Sequence, residues 1–180
     1  MLPQNLQDYI VIIPNVLSPE VCDSIVDEYA DSDIWQDAPI VGIGVNKSGR
    51  NCQFICITTQ GKKETDDIVF RGASKAIKEY KDMFPNVNVQ QDSGYDLLRY
   101  GEGGLYAEHV DDFITEPRQL SCSISLNDGF LGGEFGFFGS KIKYVAPKGS
   151  AIMFPSSFMY PHEILPVTSG TRYSIITWFR

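Results

Sequence analysis

A chain of 180 residues with 43% hydrophobic and 21% charged residues has the size and composition of one globular domain. Its formal net charge of -8 disfavours sequence-independent binding to nucleic acid or to anionic membranes, because both need clustered lysine and arginine. No apolar run approaches the ~20 residues of a membrane helix, and the first ten residues lack the pattern of a secretory signal. We therefore predict a soluble, cytoplasmic protein with one domain over residues 1–180.

The chain begins with a predicted strand and a predicted helix. YIVIIPNVL, which starts at Tyr9, is apolar and β-branched, and this predicts a short strand that ends near Pro14. Ser18 is a plausible N-cap, and the proline after it suits the first helical position. Apolar residues then recur at helical spacing, so we predict a helix over about 19–30.

A second strand and a second helix are predicted before Pro85. Apolar residues nearly alternate over 51–59, as in a strand, and recur at helical spacing over about 62–84. The glycine-rich segment 39–50, PIVGIGVNKSGR, suits a strand followed by a loop. We interpret this segment either as a lid over an active site or as an ordinary surface hairpin.

Beyond Pro85 the chain changes to short β-rich segments separated by glycine, proline, asparagine and aspartate. In SCSISL, residues 121–126, small polar residues alternate with apolar ones, which predicts a half-buried strand. Many short strands at this spacing predict a mainly β sandwich or jelly roll, with the two helices packed on one sheet. We expect a helix-containing support region over 1–92 and a jelly-roll core over 93–180.

The two histidines of the chain are the first indication of chemistry. His109 and Asp111 form an H-x-D pair, and alternate residues of a strand point to the same face. A pair of histidines with one carboxylate on one face of an ion is typical of non-haem Fe(II) sites. His162 is the other histidine available for such a site. The alternative is a solvated surface turn, because an isolated H-x-D is common by chance.

An arginine near the end of the chain supports the metal interpretation. HEILPVTSGTRYSIITWF reads as strand, turn and strand, which predicts that Arg172 returns close to a position opposite His162. A buried arginine in an aliphatic and aromatic strand needs an anion, and a bound carboxylate ligand suits its planar fork. The alternatives are an arginine at a strand edge or one paired with a protein carboxylate.

These residues together resemble the Fe(II)- and 2-oxoglutarate-dependent dioxygenases, and within them the prolyl 4-hydroxylase branch. The resemblance covers most of the chain, most clearly from Gly94 onward, and it implies a double-stranded β-helix, or jelly roll. The matching segments are VLSPEVCDSIVDEYA, LLRYGEGGLYAEHVDDF, GGEF at 132–135, PKGSAIMFPS and HEILPVTSGTRYSIITWF.

The resemblance implies a role for individual residues. His109, Asp111 and His162 would be the iron ligands. Arg172 would bind the distal carboxylate of 2-oxoglutarate, with the hydroxyl of Tyr100 as a helper. No side chain beyond these ligands and this clamp is expected to be catalytic.

Two aromatic residues complete the implied pocket. Tyr106, three positions before the first ligand, would line it near substrate or co-substrate, and Trp178, on the strand of Arg172, would close its wall. Arg172 stands where many collagen-type members carry lysine, which weakens the case for a collagen-like substrate.

The resemblance implies hydroxylation of a C–H bond, with succinate and CO2 as co-products. The implied cofactors are Fe(II), 2-oxoglutarate and O2, with ascorbate as a further candidate. The favoured substrate is a prolyl residue in a protein or peptide, as in the procollagen-proline type of prolyl 4-hydroxylase. Two alternatives remain: the same chemistry on a free amino acid or another small molecule, and a jelly-roll binding module without turnover.

Overall fold

Two antiparallel sheets form the framework of the computed structural model, which describes residues 4–180. The helices are α1 (Pro19–Tyr29), α2 (Ile57–Gln60) and α3 (Lys63–Met83), and a 3-10 turn spans Leu6–Tyr9. The strands are β1 (Val11–Ile13), β2 (Gln36–Asp37), β3 (Arg50–Asn51), β4 (Gln53–Cys56), β5 (Asp96–Tyr100), β6 (Leu105–His109), β7 (Leu120–Ser125), β8 (Leu131–Gly132), β9 (Phe135–Phe137), β10 (Ile142–Tyr144), β11 (Ala151–Pro155), β12 (His162–Ile164), β13 (Val167–Ser169) and β14 (Arg172–Phe179).

The strand order is that of a jelly roll. Within residues 4–180, the larger sheet has seven strands in the order β1-β11-β7-β14-β5-β4-β2. The smaller sheet has five strands in the order β10-β9-β12-β6-β3, and β13 and β8 form a separate pair. The predicted fold class, mainly β with a jelly roll and flanking helices, is confirmed.

The two longer helices cover one face of the larger sheet, as predicted. Apolar side chains of α1 and α3 pack in one cluster with residues of β1, β7, β11 and β14. In α3 the buried positions include Val69, Ala73, Ala76 and Tyr80, at the spacing of one helical face. The hydroxyl of Tyr80 donates to the backbone carbonyl of Tyr9 at 2.8 Å. None of the helices in the described residues is long and apolar enough to cross a membrane.

Two predictions for the first half of the chain need correction. The strand predicted over 51–59 ends at Cys56, and helix α2 takes its last residues. No strand lies within 39–49 of the described chain; a bridge between Ile40 and Gly44 closes a turn instead. Gly42 and Gly44 have φ of 77° and 88°, a backbone conformation that glycine adopts without strain.

Strand β7 is buried at all six of its positions, whereas the sequence predicted a half-buried strand. One face, with Cys122 and Ile124, packs under the helices. The opposite face carries serines and is turned toward the smaller sheet rather than toward solvent. The alternation was therefore read correctly, but the polar face lies inside the barrel, where the second sheet covers it.

The predicted hairpin that brings Arg172 opposite His162 is wrong. Arg172 pairs with Tyr100 of β5 in the larger sheet. His162 pairs with His109 and Phe137 in the smaller sheet. After β12 the chain first pairs with β8 through β13 and only then enters the opposite sheet as β14. The two residues consequently belong to opposite sheets, which face each other across the barrel.

The N-cap of α1 gives a test of the fold away from the barrel interior. The Oγ of Ser18 accepts a hydrogen bond from the backbone N–H of Val21 at 3.3 Å. We expect Ser18→Ala to lower the free energy of unfolding by about 1 kcal/mol, the typical cost of an N-cap loss. Ser24→Ala is the matched control: it lies on the exposed side of the same helix, where alanine is favourable. Urea unfolding of both variants would measure this, and equal stabilities would contradict the role of Ser18.

Candidate active site

A cavity of about 40 Å³ lies between the two sheets, and we call it the inner cavity. All seven predicted site residues line it: Tyr100, Tyr106, His109, Asp111, His162, Arg172 and Trp178. The larger sheet contributes alternate residues of β5 and β14, and the smaller sheet contributes the ends of β6 and β12. Strand alternation accounts for the inward side chains of β5, β12 and β14. It does not account for Tyr106 and His109, which are three residues apart and both reach the cavity because the pairing of β6 with β12 shifts register between them. Asp111 was predicted as a strand residue but lies beyond the end of β6.

His109, Asp111 and His162 form a cluster at this cavity. Strands β6 and β12 are neighbours, with His162 directly opposite His109, and Asp111 follows two residues after the end of β6. Asp111 Oδ1 lies 3.6 Å from His109 Nε2, and Asp111 Oδ2 lies 3.5 Å from His162 Nε2. The three side chains offer donor atoms that all lie within 4.8 Å of one another, so they could hold one metal ion.

Backbone carbonyls fix the orientation of both imidazoles. His109 Nδ1 lies 2.8 Å from the carbonyl oxygen of Ala107, and His162 Nδ1 lies 3.1 Å from that of Tyr160. A carbonyl oxygen only accepts, so each Nδ1 carries the proton and donates it. Each Nε2 is then left with its lone pair directed at the cluster, which is the arrangement of a metal-ligating histidine.

The electrostatics of the cluster favour the protonation states that bind a metal. Burial lowers the pKa of the His162 imidazole to about 4, so the ring is neutral near neutral pH. Burial alone would raise the pKa of the Asp111 carboxyl. The neighbouring His162 and His109 and a hydrogen bond from Ser121 outweigh it, and they hold that pKa well below its usual range. A neutral imidazole and an ionised carboxylate are the ligand forms.

Arg172 brings an unmatched positive charge to the inner cavity. The residue is 5% exposed, and its Nη1 donates to Ser174 Oγ at 2.9 Å. No carboxylate in residues 4–180 lies within 4 Å of its guanidinium. Burial lowers the pKa of Arg172, but a guanidinium remains charged in proteins. A buried charge without a partner is costly, so this site favours an anionic ligand.

The surroundings of Arg172 are fitted to its side chain. Its guanidinium carbon lies 5.3 Å from the ring centroid of Tyr100 and 5.4 Å from that of Phe135. Gly133, with φ of 68°, passes directly beside it, and a Cβ at this position would lie 3.0 Å from Arg172 Cδ. The positive φ of Gly133 and the close approach of Arg172 together favour glycine at this position.

Tyr106 and Trp178 line both the inner cavity and a second cavity of about 160 Å³, the outer cavity. The ring of Tyr106 stacks on His109 with centroids 3.6 Å apart. The guanidinium carbon of Arg50 lies 4.5 Å from the centroid of the Tyr106 ring, and that of Arg118 lies 3.6 Å from the Trp178 ring. Tyr106 therefore supports an imidazole of the cluster as well as lining the pocket.

Four residues at the site were not predicted from the sequence. Ser174 lies two positions after Arg172 on the same face, a spacing that could have identified it. Ser121 lies on the serine face of β7, which resembled a solvent face. Arg50 and Arg118 line the outer cavity, and neither has a local sequence signal, because the sheet pairing and loop conformation bring them there.

Comparisons with known proteins agree with this geometry. Residues 95–180 match the family model of the 2OG-Fe(II) oxygenase superfamily. A PKHD-type hydroxylase of Colwellia psychrerythraea is 24% identical, over 92% of this chain and 75% of that protein. A PKHD-type hydroxylase of Alteromonas mediterranea is 33% identical over 46% of this chain and 41% of its own length. The latter match therefore spans less than half of the relative.

Solved structures share the fold. A Pseudomonas putida prolyl-4-hydroxylase superposes with a TM-score of 0.76 at 21% identity, covering 96% of this chain and 92% of that one. A Trichoplax adhaerens prolyl hydroxylase, solved with a hypoxia inducible factor peptide fragment, gives 0.79 at 18% identity, covering 95% and 83%. Jelly roll, His-Asp-His cluster and family match agree: residues 95–180 match the 2OG-Fe(II) oxygenase superfamily, and the chain has a prolyl 4-hydroxylase-like fold.

Proposed function

We propose that this protein hydroxylates a prolyl residue in a protein or peptide, in a reaction that depends on Fe(II), 2-oxoglutarate and O2. One observation carries the oxygenase part of the proposal: a His-Asp-His cluster and an unmatched buried arginine share one cavity. The match of residues 95–180 to the superfamily supports these three cofactors. The complete constellation also argues against the alternative of a binding module without turnover.

The residues present fit an iron ion. His109 and His162 would each offer Nε2, and Asp111 would offer a carboxylate oxygen, a mixed set of nitrogen and oxygen donors suited to non-haem iron. The bound iron would supply activation of O2, coupled to conversion of 2-oxoglutarate to succinate and CO2, which oxidises the substrate C–H bond. The protein's contribution is to orient the reactants and to exclude water.

The residues around Arg172 fit the distal carboxylate of 2-oxoglutarate. The guanidinium offers a planar fork to a carboxylate, and Ser174 holds one of its nitrogens in place. Tyr100, directly across the strand pair and 1% exposed, lines the same cavity. Burial raises the pKa of Tyr100 strongly, so its hydroxyl keeps its proton and can donate to the carboxylate.

The outer cavity supports a peptide substrate. Three residues that line it carry buried N–H groups without a hydrogen-bond partner in residues 4–180: Arg50 Nε, Arg118 Nε and Trp178 Nε1. A buried unpaired donor costs about 1–3 kcal/mol, and a shift of these side chains toward a ligand rich in acceptor oxygens would recover that cost. A prolyl residue suits this wall, because its tertiary amide offers a carbonyl oxygen and no N–H.

One observation favours the second candidate, a free amino acid. Asp96 lines the same outer cavity as Arg50 and Arg118, and burial raises the pKa of its carboxyl. Acidic and basic side chains in one cavity match the two charges of a zwitterion. A peptide remains the proposed substrate. Three unpaired N–H donors at this cavity match the carbonyl oxygens of a peptide, whereas a single carboxylate matches the amino group of a free amino acid.

Segment 39–50 borders the outer cavity and remains a proposed lid. Val41 lines that cavity, and Val41, Ile43 and Val45 are all more than half exposed. Arg50 Nη1 donates to the carbonyl of Pro39 at 2.8 Å and thereby joins the two ends of the segment. Closure of these apolar side chains over a bound peptide would exclude water from the site.

Removal of Asp111 tests the iron site. We expect Asp111→Ala to lose most of the Fe(II) affinity and to abolish succinate formation from 2-oxoglutarate, because two neutral imidazoles alone hold the ion weakly. Metal binding and succinate would both be measured. Asp112→Asn is the control: it removes a neighbouring exposed charge but keeps an oxygen for the backbone N–H of Arg118. Full activity of Asp111→Ala would rule out its role as a ligand.

Removal of Arg172 tests the co-substrate clamp. We expect Arg172→Ala to weaken 2-oxoglutarate binding by roughly 2–5 kcal/mol, the range for truncation of one partner of a buried charge pair. Arg172→Lys should recover part of this loss, because it restores the charge. The KM for 2-oxoglutarate would be measured, with Arg71→Ala on the exposed surface of α3 as the control. An unchanged KM in Arg172→Ala would place the clamp elsewhere.

Arg118 tests the substrate. We expect proline-containing peptides, but not free proline, to stimulate succinate formation. Arg118→Ala should lower kcat/KM for the peptide by roughly 10- to 100-fold, as for the loss of about 1.5–3 kcal/mol of charge-assisted hydrogen bonding. Its KM for 2-oxoglutarate should not change, which serves as the internal control. Stimulation by free amino acids alone would favour the second candidate and leave the oxygenase assignment intact.

A further inference from the structure

We propose that Ser156 and Ser121 form a hydrogen-bonded relay that fixes the orientation of the Asp111 carboxylate within the His-Asp-His cluster. Ser121 and Ser156 are positioning residues in this proposal, because they act on an ion only through Asp111. The inference rests on the proposed iron site and adds to it the groups that hold its carboxylate in place.

The relay is short and completely buried. Ser121 Oγ lies 2.6 Å from Asp111 Oδ2, and Ser121 Oγ and Ser156 Oγ lie 2.9 Å apart. Ser121 is 0% exposed, Ser156 is 1% exposed and Asp111 is 5% exposed. Two hydroxyl groups in such a place would be costly without partners, and a packed core has no need of them. Their presence therefore indicates a requirement for polar contacts to Asp111.

Proton counting gives the relay its direction. An ionised carboxylate has no proton to donate, so Ser121 must give its single hydroxyl proton to Asp111 Oδ2. Ser121 Oγ is then only an acceptor toward its other neighbour, and Ser156 must donate to it. The order is Ser156 to Ser121 to Asp111, and each hydroxyl has a defined orientation. Donors in sequence also polarise one another, which strengthens the last hydrogen bond.

Backbone hydrogen bonds hold Ser156 beside both of its partners. Its N–H donates to the carbonyl of Gln119 at 3.0 Å, next to the start of β7. Its carbonyl accepts from the N–H of Asp112 at 3.1 Å, directly after Asp111. Ser156 consequently connects the strand that carries Ser121 with the segment that carries Asp111. Displacement of the carboxylate would break several hydrogen bonds together.

The relay has a consequence for the cluster. Ser121 Oγ engages Oδ2, which also lies 3.5 Å from His162 Nε2, while Oδ1 lies 3.6 Å from His109 Nε2. The hydroxyl therefore limits rotation of the carboxylate and keeps each of its oxygens beside one imidazole. The serines thus orient the side chain that would hold an ion together with the two histidines.

The test uses metal binding to the apoprotein rather than turnover. Co(II) would be titrated into wild type, Ser121→Ala, Ser121→Thr and Ser156→Ala, with its visible absorption spectrum recorded. We expect Ser121→Ala to bind Co(II) at least tenfold more weakly, in the range typical for loss of a group that orients a ligand, and to change the spectrum. Ser121→Thr should restore both, because it keeps the hydroxyl, and Ser156→Ala should show a smaller loss.

Ser125→Ala is the matched control on the same face of β7. Its hydroxyl approaches the backbone carbonyl of Asn127 at 3.5 Å and not the cluster, so its Co(II) affinity and spectrum should equal those of wild type. Thermal unfolding of the metal-free variants would show that each one folds.

The outcomes separate the relay from the function. If wild type and Ser121→Ala bind Co(II) equally and with the same spectrum, the relay is wrong while the iron site stands. If Ser125→Ala weakens binding as much as Ser121→Ala, the effect is general to the strand and the relay is likewise overturned. If wild type binds no divalent metal, the proposed function itself fails.

Discussion

Two opposite buried charges that do not pair with each other dominate the interior of this protein. Asp111 is 5% exposed at one place in the cavity and Arg172 is 5% exposed at another, and each lies in a different part of the barrel. Ser121 and the two histidines stabilise the ionised form of Asp111, whereas Arg172 has no acidic partner within residues 4–180. An uncompensated buried charge such as that of Arg172 opposes folding. A divalent ion beside the first and a dicarboxylate beside the second would complete both. Ligands that bind only the folded state stabilise it by mass action, so the holoprotein is expected to be the more stable form.

The two faces of the larger sheet keep these buried charges apart from the apolar core. The larger sheet turns one face to the helices and the other to the smaller sheet. The same strand therefore contributes apolar side chains to the core and polar side chains to the cavity. On β7, Cys122 and Ile124 face the helices, whereas Ser121 faces Asp111. On β14, Arg172 and Ser174 line the cavity while Ile175 packs in the core. Because alternate residues of a strand face opposite sides of the sheet, core residues and cavity residues alternate along each strand.

The sequence was sufficient to predict elements that depend on neighbouring residues, such as helices, and site residues of a type that is rare in this chain, such as histidine. Helix α1 was placed within one residue, because Ser18 and the proline after it define its start. His109, Asp111 and His162 were identifiable because the chain has two histidines and the acid follows one of them at strand spacing. All these residues do line one cavity. Their roles as ligands and clamp remain predictions that the proposed variants test.

The rest could not be read from the sequence, for reasons that lie in long-range structure. A serine face that lines a cavity has the same pattern as one that meets solvent, so the environment of β7 was predicted wrongly. Arg172 was assigned to a hairpin with His162, since adjacent segments usually pair, but the jelly roll sends them to opposite sheets. Arg50 and Arg118 reach the outer cavity through pairing and loop conformation, which no periodicity encodes.

The order of the larger sheet bears on which part of the chain can exist alone. Strands β11, β7, β14 and β5 come from residues 95–180, but β1 closes one edge of this set, and β4 with β2 closes the other. A fragment limited to 95–180 would expose two unpaired rows of backbone donors and acceptors, together with the apolar surface that α1 and α3 cover. Such edges invite self-association into aggregates. We therefore propose that the folding unit extends beyond residues 95–180 and includes β1, β2, β4, α1 and α3.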